Sequence, residues 1–250
     1  MNDQAFGRGA AVSQGCLEAF GIDQQEAARL REAVGYLSPS PLIADARRVF
    51  EYGAQHEIPQ QAIDLYRRTW EQEAIRASLN SSTGALRRLL DMKARRQGLN
   101  DPLTTYLRVD CFGKRVQSPC LLEIWPGGHR SPIHEHANST GLIKGVYGRV
   151  DIMLYEGLVP RPKEVALLSV TPDRCSWMSP QLYQAHKVYC PMHEHDFAAT
   201  FHIYADTESD VFKYREEQEP HRIAEVLTES DIAWGEFYKA LTEAVPFYDD

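Results

Sequence analysis

Little in this chain points to an oxidised, membrane-spanning or nucleic-acid-binding protein. Only 5 cysteines occur among 250 residues, they lie far apart, and no two form a CxxC pair. An odd, scattered set argues against a disulfide framework or a zinc ribbon, so Cys16, Cys111, Cys120, Cys175 and Cys190 are expected as reduced thiols. No run approaches the ~18 to 20 consecutive apolar residues that a bilayer-spanning helix requires. The opening Met1–Ala10 lacks the apolar core of a secretion signal, and a cytoplasmic location is expected. Positive charge is also short: the formal net charge is -8. Phosphate contacts need a concentrated basic face, so neither nucleic acid nor an anionic membrane is an expected partner. Neither a Gly-x-Ser-x-Gly elbow nor a phosphate-cradling glycine loop is present, which leaves nucleophilic catalysis without support.

What the chain does have is enough apolar content, 43%, to bury a core in one large domain or two small ones. Residues 1–100 carry 13 Lys/Arg against 12 Asp/Glu and 3 prolines, whereas residues 101–250 carry 14 against 23 and 11 prolines. The first part reads as helical. Asp23 can cap a segment beginning Gln24-Gln25-Glu26, Ser40-Pro41 opens one toward His56, and Pro59 stands at the start of one running to about Ser78. Asn80 or Ser82 could cap a fourth, with Leu86, Leu89, Leu90 and Met92 at near-helical spacing and Gly98 past its end. From Leu103 onward short apolar runs are broken by Gly, Pro and Asp. Strands are expected at Thr104–Cys111, Cys120–Trp125, Gly141–Val146, Arg149–Tyr155, Glu164–Val170 and Ala198–Tyr204, a pattern that suggests a sandwich or barrel. A last helix, Ser230–Ala244, is expected to turn Ile232, Phe237 and Leu241 inward.

Histidine is the loudest signal. Of 9 histidines, 7 lie between His129 and His202. His134-Glu135-His136 and His193-Glu194-His195 share the His-x-His spacing, which on a strand points both imidazoles to one face about 7 Å apart, close enough to hold one metal. Chance alone gives about 0.3 such pairs in a chain of this composition, so context has to separate them. His134 and His136 follow the turn Pro126-Gly127-Gly128 and precede a β-like Gly141–Gly145 stretch. His193 and His195 sit among charged neighbours and read as a wet loop. A third ligand must come from a distant strand; His186 is the candidate, with His202 behind it.

Gly128-x5-His134-x-His136 followed by Gly145 resembles the first metal-binding motif of the cupin barrels, and His186 falls where the second motif supplies its histidine. The usual cupin glutamate is replaced by Thr140 and Gly141. A site of three histidines without a carboxylate resembles the thiol dioxygenases, cysteine dioxygenase in particular and its bacterial type. The resemblance extends over residues 101–205, through Tyr106-x-Arg108, Trp125-x-Gly127-x-His129, Ser131-x-Ile133-His134 and Thr200-x-His202-x-Tyr204. It implies a mainly β, jelly-roll-like cupin barrel over 101–215; the N-terminal helical region (1–100), larger than the family core needs, and the C-terminal helical tail (216–250) are read from the residues themselves. It also implies Fe(II) on His134, His136 and His186, with a small thiol and dioxygen as partners and both oxygen atoms ending on sulfur. Three neutral imidazoles leave the ion its full charge, which favours an incoming thiolate.

The same resemblance assigns Arg108, with Tyr106 and Trp125, to the substrate. A guanidinium can grip a carboxylate through a bidentate pair, although an arginine on a strand is ordinarily a solvated edge residue. It assigns Thr200, His202 and Tyr204 to a hydroxyl–imidazole–phenol relay, against the alternative of an inward stripe that only fills the barrel. Gly141 stands where animal members carry the cysteine that crosslinks to the tyrosine, so no crosslink is expected here. Glu123 replaces an apolar pocket residue; it could pair with Arg108, accept the substrate ammonium, indicate a different thiol altogether, or face water. L-Cysteine is the expected thiol, with 3-mercaptopropionate and mercaptosuccinate as alternatives. A non-catalytic metal-binding sensor and a zinc or manganese hydrolase or isomerase are the competing classes. A monomer or homodimer is compatible with the sequence.

Overall fold

A computed structural model describes residues 12–37, 60–99, 101–111, 120–136, 139–172, 174–205, 212–218, 222–228 and 230–244. Helices α1 (Gln14–Phe20) and α2 (Gln24–Ala33) open the described chain. The Asp23 carboxylate accepts the Glu26 N–H at 2.8 Å, the capping bond expected of it. The expected helix from Ser40 toward His56 lies outside the described residues, as does Pro59. The one expected to run on to Ser78 is broken into α3 (Gln60–Ile63), a 3-10 turn (Leu65–Arg67) and α4 (Thr69–Asn80). In α5 (Ala85–Gln97) the N-cap is Gly84 rather than Asn80 or Ser82. Gly98, at φ 62°, closes it as expected. Leu86 and Leu90 are buried, whereas Met92 is exposed on the opposite face.

All six expected strands form: β1 (Leu107–Asp110), β2 (Cys120–Pro126), β4 (Thr140–Tyr147), β5 (Val150–Tyr155), β6 (Glu164–Val170) and β9 (Phe197–Ala205). Six more go beyond that list, two of them under the histidines that the metal-site reading places on strands. These are β3 (His134–Glu135), β7 (Cys175–Met178), β8 (His186–Tyr189), β10 (Phe212–Gln218), β11 (Arg222–Thr228) and β12 (Ile232–Ala233). They carry the sheets past residue 215, so the span 216–250 holds strand as well as helix. Ile232, expected on the last helix, pairs in parallel with Val109 of β1 instead, and helix α6 begins only at Trp234 and runs to Ala244. Phe237 and Leu241 are buried as anticipated.

The strands make two six-stranded sheets, β12-β1-β2-β9-β4-β7 and β11-β10-β3-β8-β5-β6. Leu121, Trp125, Ile143 and Tyr204 of the first pack with Val150, Ile152, Leu154 and Val188 of the second, so the sheets face one another across a shared core. Two facing sheets around one core form the mainly β, jelly-roll-like barrel expected from the sequence. The outer face of the first sheet, with Val109, Leu122, Ile124, Phe201 and Ile203, is covered by α4, α5 and α6. The outer face of the second, with Met153, Leu167 and Tyr189, is covered by α1 and α2. With both faces covered, β2 and β5 are buried at every position, which is why their sequences run apolar with little alternation.

Candidate metal centre

Register builds the centre. His134 and His186 are directly opposed across the antiparallel β3–β8 pair, which holds opposed side chains close on one face. Their ring centroids are 4.4 Å apart. His136, just past β3, brings its ring to 4.9 Å from His134 and 5.1 Å from His186. One nitrogen from each of the three lies within 4.8 Å of the others, and all three are buried. Among the described residues no carboxylate joins this group. The turn before it is built by glycine: Gly128 sits at φ 79°, and a Cβ on Gly127 would lie 2.0 Å from the His193 carbonyl oxygen.

Burial disfavours the imidazolium form, and mutual repulsion among the rings adds to it for His134 and His136. Both are held well below the ordinary histidine range, and His186 is lowered to about 4. The rings are therefore neutral at pH 7. The Nδ1 atoms of His134 and His186 each lie 3.0 Å from a backbone carbonyl, of Pro132 and Gln184 respectively. A carbonyl only accepts, so each Nδ1 carries the hydrogen and each Nε2 keeps its lone pair for a ligand. Three neutral, pre-oriented imidazoles fit a divalent transition metal.

Gln184 went unnoticed in the sequence. Its side-chain oxygen accepts the His136 N–H at 3.3 Å, and its amide donates to the carbonyls of Ser139 and Ser179, each at 2.7 Å. One residue thus fixes the backbone of one imidazole and, through its own carbonyl, the tautomer of another.

Across the core, the register of β1, β2, β9 and β4 sets Arg108 opposite Glu123, Glu123 opposite Thr200, and Thr200 opposite Gly145. Opposed residues share a face, so these side chains form one row, with His202 and Tyr204 following along β9. The Thr200 hydroxyl lies 2.8 Å from His202 Nε2, and His202 Nδ1 lies 3.0 Å from the Tyr204 hydroxyl. The Tyr204 ring stacks on His136 at 4.7 Å. Gly141 faces Tyr204, where a Cβ would meet the ring at 2.9 Å. His202 belongs to this row and not to the metal-ligand group.

Tyr106 stacks on Trp125 at 3.9 Å, and the indole N–H donates to Thr200 at 2.9 Å. Arg108 is buried; it hydrogen-bonds the Tyr106 hydroxyl and forms an ion pair with Glu123, Nε to Oε1 3.4 Å. Glu123 is also buried, and its Oε2 lies 3.0 Å from His202 Nε2. Desolvation raises its carboxyl to about 7, against the opposing pull of Arg108 and Lys93. Of the readings open to Glu123 in the sequence, the pair with Arg108 is formed and the side chain does not face water. His193 and His195 remain on an exposed loop, centroids 5.5 Å apart, with His195 against Asn80.

No protein-family model matches the chain, and no curated protein matches it in sequence. Solved structures do. The protein TT1209 from Thermus thermophilus matches at 16% identity over 41% of this chain and 85% of its own, with a TM-score of 0.32. A sugar phosphate isomerase from a cupin superfamily, from Silicibacter pomeroyi, matches at 14% over 49% and 75%, TM-score 0.35. Hydroquinone 1,2-dioxygenase from a Sphingomonas species matches at 13% over 40% and 65%, TM-score 0.32. Likeness of this degree carries no chemistry across, so the chemistry has to come from the side chains themselves.

Proposed function

We propose that the protein is a non-haem iron(II) thiol dioxygenase, adding both atoms of O2 to the sulfur of a small thiol, with L-cysteine to cysteine sulfinate as the first candidate. The observation that carries this reading is the convergence of three neutral, buried imidazoles beside a hydroxyl–imidazole–phenol row. His134, His136 and His186 would hold the ion. Ferrous iron bound there supplies the one-electron chemistry that lets a thiolate react with dioxygen. With no anionic ligand among the three, the loaded centre would favour a thiol as its thiolate.

The protein's own part is positioning and proton handling. Tyr204, stacked on His136, presents its hydroxyl beside the metal-facing space, and His202 and Thr200 hold that hydroxyl in place. Tyr106, Trp125 and Arg108 form the polar end of the same face and bound the substrate. The core between the sheets excludes water from all of them.

The test is oxygen uptake by iron-loaded protein across L-cysteine, 3-mercaptopropionate, cysteamine and mercaptosuccinate, with mass analysis of the product. One O2 consumed per thiol, and a product heavier by two oxygen atoms, is the expected result. Protein that does not retain iron, or that consumes oxygen with none of the four, overturns the proposal.

A further inference from the structure

Glu123 gives the row a carboxylate end that a threonine–histidine–tyrosine relay does not require. The Arg108 guanidinium holds Oε1, which leaves Oε2 pointed at His202 Nε2, 3.0 Å away. An ionised carboxylate only accepts, so Nε2 carries the imidazole hydrogen and shares it between Glu123 and Thr200. Nδ1 is then left as an acceptor, and the Tyr204 hydroxyl, 3.0 Å from it, donates to it. Tyr204 therefore turns its proton toward His202, while its ring lies on that of His136. Every hydrogen bond in the chain Tyr204–His202–Glu123 points away from the metal centre and toward the carboxylate. Thr200 sits at the same end as a second acceptor: its oxygen takes the Trp125 indole N–H at 2.9 Å and a share of the His202 Nε2 hydrogen at 2.8 Å.

From this chain of donors and acceptors we propose that Glu123 receives the proton a thiol substrate gives up on binding, through Tyr204 and His202. The proposal rests on the thiol-dioxygenase reading of the same site. The balance is simple. The S–H bond breaks and its proton passes to the Tyr204 oxygen as the phenol proton moves to His202 Nδ1. The Nε2 proton then passes to Glu123 Oε2. Sulfur gains a negative charge, Glu123 loses one, and Tyr204 and His202 end neutral, with no net charge moved into or out of the buried space. Glu123 is a suitable terminus because burial weakens it as an acid while leaving it able to ionise at neutral pH. The charged and titratable groups around it are Arg108 on β1, Lys93 on α5, Asp231 just before β12, and His202 on β9.

The test counts protons. Anaerobic, iron-loaded protein is titrated calorimetrically with L-cysteine at pH 8 in buffers of different ionisation enthalpy, which reports the protons released per thiol bound. Wild-type protein is expected to release well under one, because the charge of the bound thiolate in the same buried space raises the Glu123 carboxyl further and keeps the transferred proton on it. Glu123→Gln, which keeps the shape but not the basicity, is expected to release close to one. Tyr204→Phe breaks the chain in the middle and should behave like Glu123→Gln even if the Gln variant folds poorly. A wild type that releases a full proton, or a Tyr204→Phe variant that releases none, overturns the inference. Absence of any thiol binding by the iron-loaded wild type would instead sink the dioxygenase reading beneath it, so the two failures are distinct.

Discussion

The side chain of Gln184 serves three backbone groups from two segments, those of His136, Ser139 and Ser179. Deleting it strands two carbonyls and an N–H in a partly buried loop and frees the segment that carries His136. Gln184→Ala is expected to lower stability by about 1–3 kcal/mol and to weaken iron affinity by about 10–100-fold, measured by urea unfolding and by competition with a chelator. Unchanged iron affinity would show that His136 is positioned by other means. Glu123 supplies a pH prediction. Its folded-state carboxyl lies near 7 against an ordinary 4.5, so between those values the unfolded chain has released a proton that the folded chain keeps. Stability attributable to this group is full below pH 4.5 and is lost as pH rises to about 7. Unfolding free energies across that window should fall more steeply for the wild type than for Glu123→Gln; parallel slopes would refute the shift. The imidazoles themselves were legible from spacing and context, because a His-x-His pair beside a glycine turn carries its chemistry in its residue types. Gln184 was not, since a glutamine bridging backbone groups leaves no pattern in sequence. The Glu123–His202 contact was hidden too, since it depends on a cross-strand register that no local window contains.

Strands that alternate or run apolar were readable, and those made by pairing alone were not. β2 and β9 are seven and nine residues long, the first mostly apolar and the second rich in β-branched and aromatic side chains. β3 and β12 have two residues each and exist because a neighbour lies alongside. β10 has four charged residues in seven, a composition that a hydrophobicity reading does not take for a strand. Ile232 was assigned to the last helix for a related reason: apolar spacing continued backwards past Trp234, while the partner that makes it a strand, Val109, is more than a hundred residues away. The helix itself is anchored by Phe237 and Leu241 against the outer face of the first sheet. Phe237 is 1% exposed, so Phe237→Ala should leave a cavity worth about 3–5 kcal/mol. Because this face is the one turned away from the imidazoles, the folded fraction should still bind iron with wild-type stoichiometry. Loss of iron from folded Phe237→Ala protein would mean that the two faces of the sheet are coupled.

At the scale of the whole molecule, the composition break near residue 100 marks a change of secondary structure, and the packing crosses it. Helices α4 and α5 lie on the same sheet whose other face carries Arg108, Glu123 and Thr200. The connection is also polar. The Lys93 ammonium on α5 is buried, donates to the Tyr106 carbonyl at 2.6 Å, and pairs with Asp231 at 2.8 Å. Asp231 in turn accepts the Arg108 N–H at 2.8 Å. One lysine therefore ties a helix of the first hundred residues to the strand that carries Arg108 and to the segment leading into β12. Burial lowers its pKa to about 8 against the pull of Asp231, so the pair remains charged at pH 7. Removing one partner of such a pair leaves the other buried and poorly compensated, at a cost of about 3–5 kcal/mol, whereas removing both costs much less. Lys93→Met should thus destabilise strongly, and Lys93→Met with Asp231→Leu should recover much of the loss. In all three proteins helix content by circular dichroism and tryptophan fluorescence should change at one urea concentration, since the described helices share their core with the sheets. Two separated transitions in the wild type would show that the first hundred residues fold independently of the barrel.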